Sequence, residues 1–139
     1  MENKNDNNLP GILILSHGAL CEGLLGSAKM IYGDFDGVKA MPFYDGSDIR
    51  AYGEDVMRLY GEMPEGSIIL FDLFCGTPFN QVLERCARKK IFGLCGVNLS
   101  ILLEALNLRE SMRGQELIEA LAETGRESLV DVKSFFEFN

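Results

Sequence analysis

SIILFDLFCGTPFN, residues Ser67–Asn80, places two structural signals end to end. SIILFD is short, aliphatic and uninterrupted by charge until Asp72, the pattern of a strand covered on both faces. CGTP follows, with Thr77 suited to cap a helix and Pro78 suited to its first position. Phe79, Val82, Leu83 and Cys86 then share one helical face. A doubly covered strand that turns at once into an amphipathic helix is half of a βαβ unit.

The same grammar extends outward in both directions. GILILSHGAL, Gly11–Leu20, holds a second aliphatic strand, Ile12–Leu15, before Leu20, Leu24, Ala28 and Ile31 recur at helical steps and Gly33 ends the helix. GVKAMPF, Gly37–Phe43, predicts a strand closed by Pro42. The helix after it starts near Ser47, with Ser47 or Asp48 as cap, and buries Ile49, Tyr52, Val56, Leu59 and Met63. IFGLCGV, Ile91–Val97, is a fourth strand weakened by two glycines. SILLEALNL, Ser100–Leu108, and GQELIEALAE, Gly114–Glu123, predict helices, the latter amphipathic through Leu117, Ile118 and Leu121. SLVDVKSFFEF, Ser128–Phe138, mixes β-formers with three phenylalanines and predicts a late strand. The expected fold is therefore α/β, a three-layer, mainly parallel sheet in a flavodoxin-like order 2-1-3-4, with helices on both faces and a C-terminal strand. Residues 1–10, polar and ending at Pro10, are expected to form a disordered leader, and 11–139 a single domain.

Totals narrow the function. The chain has 139 residues, 47% hydrophobic and 24% charged, with a formal net charge of −8. That charge argues against a nucleic-acid partner and against adhesion to anionic membranes, and leaves a cationic protein partner open. Cys21, Cys75, Cys86 and Cys95 show neither zinc spacing nor the density of a disulfide scaffold, so reduced thiols and a cytoplasmic location are expected. The N-terminus lacks the apolar core of a signal peptide, and no apolar run approaches a membrane span.

Chemistry concentrates at two strand ends. His17, the only histidine, follows the first strand, and Asp72 closes the third. In an open parallel sheet, ligands lie beyond the carboxyl ends of the strands at the point where the strand order reverses. If these strands are neighbours, carboxylate and imidazole stand side by side. That arrangement fixes one tautomer and leaves the other ring nitrogen nucleophilic; an imidazole titrates near about 6.5 in solution, so it is mostly neutral at pH 7. FCGTPFN, Phe74–Asn80, adds backbone N–H groups at a helix start and the Thr77 hydroxyl, a cradle for an anion. Nucleophile, orienting carboxylate and cradle together suggest phosphoryl transfer through a phosphohistidine. The separate parts are less telling, because a lone histidine, a turn aspartate and a CGTP helix start each have ordinary structural uses. No set of carboxylates forms a metal cage, so transfer without a metal or other cofactor is expected.

GILILSHGALCEGLLGSAKMIYG, SIILFDLFCGTPFNQV and CGVNLSILLEAL, in that order, resemble the IIA domain of the mannose/fructose/sorbose class of the bacterial sugar phosphotransferase system. The resemblance runs from Gly11 to the C-terminus and implies a cytoplasmic phosphocarrier. It implies that His17 takes a phosphoryl group from the phosphohistidine of the carrier HPr and passes it to a IIB component. It further implies that IIB phosphorylates the sugar as it enters through the IIC and IID membrane components. Carried over, Asp72 orients His17, Gly76 and Thr77 contact the phosphate, and Ser16, Gly18 and Asn98 border the site. Members of this class are homodimers that exchange the last strand, to which the apolar SFFEF tail is suited.

Two positions depart from the family pattern. Cys75 stands where glycine is usual, which puts a left-handed backbone there in doubt. Ser100 replaces a frequent proline, which loosens a helix start. The phosphotransfer subunit of dihydroxyacetone kinases is the nearest rival, but its members resemble SHS and DLGSA rather than SHG and DLFCGTPFN. A regulatory phosphohistidine module is another. A histidine phosphatase would need an R-H-G strand end and a second histidine, and this chain has neither.

Overall fold

The structure, a computed structural model, describes residues 9–86 and 91–137. The expected leader lies, apart from Leu9 and Pro10, outside the described residues. Four strands, β1 (Ile12–His17), β2 (Val38–Phe43), β3 (Ile68–Phe71) and β4 (Gly93–Cys95), form one parallel sheet in the order β2-β1-β3-β4. This is the expected topology. Among the described residues, six helices accompany them: α1 (Leu20–Tyr32), α2 (Ile49–Glu62), α3 (Thr77–Arg85), α4 (Leu99–Leu108), α5 (Gly114–Glu127) and α6 (Val132–Glu137).

Two cores explain why the central strands carry unbroken apolar runs, Ile12–Leu15 and Ile68–Phe71. Ile12, Ile14, Ile68 and Leu70 face one layer, where they pack with Cys21 and Ala28 of α1, Leu102 and Leu106 of α4, and Leu117 and Leu121 of α5. Leu13, Leu15, Ile69 and Phe71 face the other, with Tyr52 and Val56 of α2 and Val82 of α3. Strands β1 and β3 alternate between two dry faces, so both faces demand aliphatic side chains. In register, Ile12 pairs with Ile68 and Leu15 with Phe71. Strand β1 therefore runs two residues past the end of β3, to His17, and the chain leaves β1 toward β2 on one side while β3 lies on the other. The order reverses between them, which opens the crevice at their carboxyl ends.

Local signals decide the helix starts. Asp48 caps α2, its Oδ1 accepting from Ala51 N–H at 3.1 Å, and Asn98 caps α4 by accepting from Ile101 N–H at 2.8 Å. Ser100 follows that cap as the second residue of α4. Four expectations need correction. Gly76, not Thr77, is the N-cap of α3; Thr77 is its first residue and Pro78 its second. On α1 the inward face runs through Cys21, Leu24 and Ala28, while Leu20 and Ile31 are exposed. Ile49 and Leu83 are likewise exposed rather than buried. The late strand is absent from the described chain: 132–137 is helical, because Asp131 accepts from Lys133 N–H and the Ser134 hydroxyl and so starts a helix.

Candidate active site

His17 is the last residue of β1, and Asp72 follows the last residue of β3. Asp72 N–H donates to the Leu15 carbonyl at 3.1 Å, extending the β1–β3 ladder by one step and setting the carboxylate beside His17. Oδ2 of Asp72 accepts twice from that one residue, from the backbone N–H at 2.9 Å and from ring Nδ1 at 2.8 Å. Only 10% of the Asp72 side chain is exposed, against 44% for His17. The other carboxylate oxygen, Oδ1, is buried with no hydrogen-bond partner among the described residues. Among the described residues, the Asp72 carboxylate is hydrogen-bonded only to His17. A carboxylate acceptor requires Nδ1 to carry the proton, so in the neutral ring the lone pair resides on Nε2.

The Cε1–Nε2 edge of the ring lies against the turn that begins α3. A methyl group placed on Gly76 would fall 2.5 Å from His17 Cε1 and 3.1 Å from Nε2, closer than any real side chain comes. Glycine at 76 is what lets the backbone lie against the ring edge. The first hydrogen bond of the helix is donated by Asn80 N–H to the Gly76 carbonyl, at 2.9 Å, and no side chain caps the end. The amides of the first turn therefore face the crevice, and the positive end of α3 lies beside Nε2. Cys75, just before, adopts a left-handed backbone with φ 66°, so a non-glycine residue takes this conformation here.

The other predicted residues fall into separate roles. Ser16 is fully buried; its hydroxyl donates to the Gly18 carbonyl at 2.9 Å and accepts from Cys21 N–H at 2.8 Å. It shapes the turn rather than facing the crevice. Gly18, with φ 62°, donates its N–H to the Phe43 carbonyl at the end of β2, which pins the turn from the other side. Thr77 opens α3 beside Gly76. Asn98 is spent on capping α4 and donates through Nδ2 to the Ser128 hydroxyl at 3.2 Å. The structure thus joins His17, Asp72 and Gly76 directly, while Ser16 and Gly18 support them.

Sequence reasoning missed the rim: Leu20, Tyr44, Leu73 and Phe74 are large, exposed and close to His17 in the chain or in space. The signal was available in LF following Asp72, two apolar residues with no strand left to occupy. The Cys95 thiol near this end of the sheet is pushed up to about 11, first by burial and then by Cys75 and Asp72, so it stays protonated at neutral pH. Among the described residues, no three His, Cys, Asp or Glu side chains are grouped to hold a metal ion. No helix there is long and apolar enough to cross a membrane.

A family model described as the PTS system fructose IIA component matches residues 11–122. The chain belongs to this family. IIA components are phosphotransferase proteins of sugar transport. The fructose-specific EIIA component of Bacillus subtilis (strain 168) is 33% identical over 120 residues, which span 84% of this chain and 82% of that protein. The mannose-specific EIIAB component of Escherichia coli (strain K12) is 30% identical over 129 residues, 88% of this chain and 39% of that longer protein. The crystal structure of phosphotransferase system component EIIA from Streptococcus agalactiae superposes with a TM-score of 0.80 at 29% identity, covering 89% of this IIA chain and 98% of that one.

Proposed function

We propose that this IIA protein is a phosphocarrier in which His17 Nε2 takes a phosphoryl group from phospho-HPr and delivers it to a IIB component for sugar uptake. One observation carries the reading: Asp72 occupies Nδ1, so Nε2 is the reactive nitrogen, and it lies against the N-terminal end of α3. In the forward step the Nε2 lone pair attacks phosphorus, the N–P bond of the donor imidazole breaks, and its electron pair returns to the donor ring. Phosphorylation leaves Nδ1 protonated and the ring cationic, a charge that Asp72 balances. The α3 amides and the Thr77 hydroxyl would take the phosphoryl oxygens. Transfer to IIB reverses the step, with the His17 ring as leaving group. Little covalent assistance is needed, so alignment and charge balance supply the catalysis.

The reading includes a cytoplasmic location and a homodimer in which the exposed C-terminal apolar segment packs against a second copy. The test is transfer of label from phosphoenolpyruvate through Enzyme I and HPr. The wild-type chain is expected to acquire label with the nitrogen–phosphorus signature of an Nε2 phosphohistidine, and His17→Ala none. An unlabelled wild type, or label persisting in His17→Ala, overturns the proposal. Label that no IIB accepts points instead to a regulatory module.

A further inference from the structure

Gly53 is buried inside α2, in a helix interior that disfavours glycine. Packing against α3 accounts for it. A methyl group there would stand 2.7 Å from Arg85 Nη1 and 2.9 Å from Gln81 Oε1, and would evict both groups from their seat on the α2 backbone. Arg85 Nη1 donates to Gln81 Oε1 at 2.5 Å and to the Gln81 carbonyl at 3.1 Å, and Nη2 donates to the Arg50 carbonyl of α2 at 3.5 Å. Gln81 is buried and the Arg85 side chain is only 20% exposed, so these bonds are largely shielded from water. Both joined helices lead to His17. Helix α3 is nine residues, a rod of about 13 Å, and its far end is the Gly76 turn against the imidazole. On α2, Tyr52 precedes Gly53, meets Phe43 edge-on at 5.2 Å and donates to the Met41 carbonyl at 2.6 Å. Phe43 is the register partner of His17 in β2. A closed ring of contacts thus sets the gap between His17 and the α3 amides: β1 to β2, β2 to α2, and α2 to α3 at Gly53. Phe79 and Val82 also hold α3 to the sheet, but by apolar contact, which has no preferred direction.

We infer that Gly53, Gln81 and Arg85 form a clasp that positions the amide end of α3 for phosphoryl transfer, with Arg85 as the positioning residue. This rests on the phosphocarrier reading and deepens it. Arg85 touches no reacting atom and acts through the helix whose last turn it closes. A shift of the amide end by on the order of 1 Å misaligns the donors that take the phosphoryl oxygens, which is enough to slow transfer strongly.

The test labels His17 of the intact chain from phospho-HPr and from the small reagent phosphoramidate. Arg85→Met removes the donors and keeps much of the stem, whereas Gly53→Ala evicts the guanidinium while leaving it in the chain. Each is expected to slow labelling by about tenfold with either donor. Each should also move the phosphorus NMR signal of the phosphohistidine, whose oxygens sense the α3 amides. The double variant is expected to be no slower than the slower single variant, because both changes open one contact. Alanine is the better helix former, so Gly53→Ala keeps the fold, and urea unfolding confirms that rates are read where every variant is native. A wild-type rate in either single variant overturns the clasp, even if stability falls, since a residue that only supports the fold would behave that way. An unmoved phosphorus signal overturns it, as do losses that multiply in the double variant. If neither donor labels wild-type His17, the phosphocarrier reading itself fails, which separates the two outcomes.

Discussion

Asp72 makes its two hydrogen bonds through one oxygen to one residue, so the side chain sets both the tautomer and the tilt of His17. Asp72→Asn keeps the shape and removes the charge that balances a protonated ring. Initial rates of labelling from phospho-HPr are expected to fall by about a hundredfold or more, within the range seen when an orienting carboxylate or acid–base group is lost. Nitrogen NMR should at the same time show the ring proton no longer confined to Nδ1. A wild-type rate would remove Asp72 from the mechanism. Cys75 offers the opposite kind of test. Its left-handed backbone, φ 66°, costs an L-residue roughly 1–2 kcal/mol. Glycine avoids that strain, but adds freedom to the unfolded chain worth roughly 0.5–1 kcal/mol. Cys75→Gly is therefore expected to stabilise the protein by up to about 1 kcal/mol in urea unfolding. Destabilisation would mean that the thiol makes contacts outweighing the strain.

At the scale of elements, the β1–α1 turn depends on one buried hydroxyl. Ser16→Ala leaves the buried Cys21 N–H without its acceptor, and is expected to cost about 1–3 kcal/mol in the same unfolding measurement. A change below the error of the measurement would show that the turn holds without it. Elements of this kind also mark how far the sequence could be read. Strands β1 and β3 were legible because two dry faces favour the unbroken apolar runs Ile12–Leu15 and Ile68–Phe71, and their lying side by side made the His17–Asp72 pairing legible too. The inward face of α1 was not. Small Cys21 and Ala28 let the helix approach the sheet closely, so the larger Leu20 is left outside, and an apolar periodicity does not distinguish these cases. The last element failed for a different reason. VKSFF has strand composition, but Asp131 supplies a local helix start that composition does not weigh. The choice between Nδ1 and Nε2 was equally hidden, since it turns on which ring nitrogen faces the carboxylate.

For the whole molecule, the C-terminal segment leaves a broad apolar surface among the described residues uncovered. Helix α6 buries none of its six residues, and Leu129, Val130, Val132, Phe135 and Phe136 are all exposed around it. So short a helix has little stability of its own, and its two phenylalanines, with ring centroids 5.5 Å apart, offer one compact apolar face. Contact with a second chain would take that face out of water and order the segment together, as the proposed homodimer requires. Sedimentation velocity is expected to give the mass of two chains for the wild type. The double substitution Phe135→Ser and Phe136→Ser is expected to weaken association by about a hundredfold or more, as loss of two buried aromatic anchors does. These positions lie outside the core and far along the chain from His17, so labelling by phosphoramidate should persist in the monomer. A wild type that sediments as one chain at all concentrations would remove the second copy from the proposal, and a double variant that stays dimeric would move the interface away from α6.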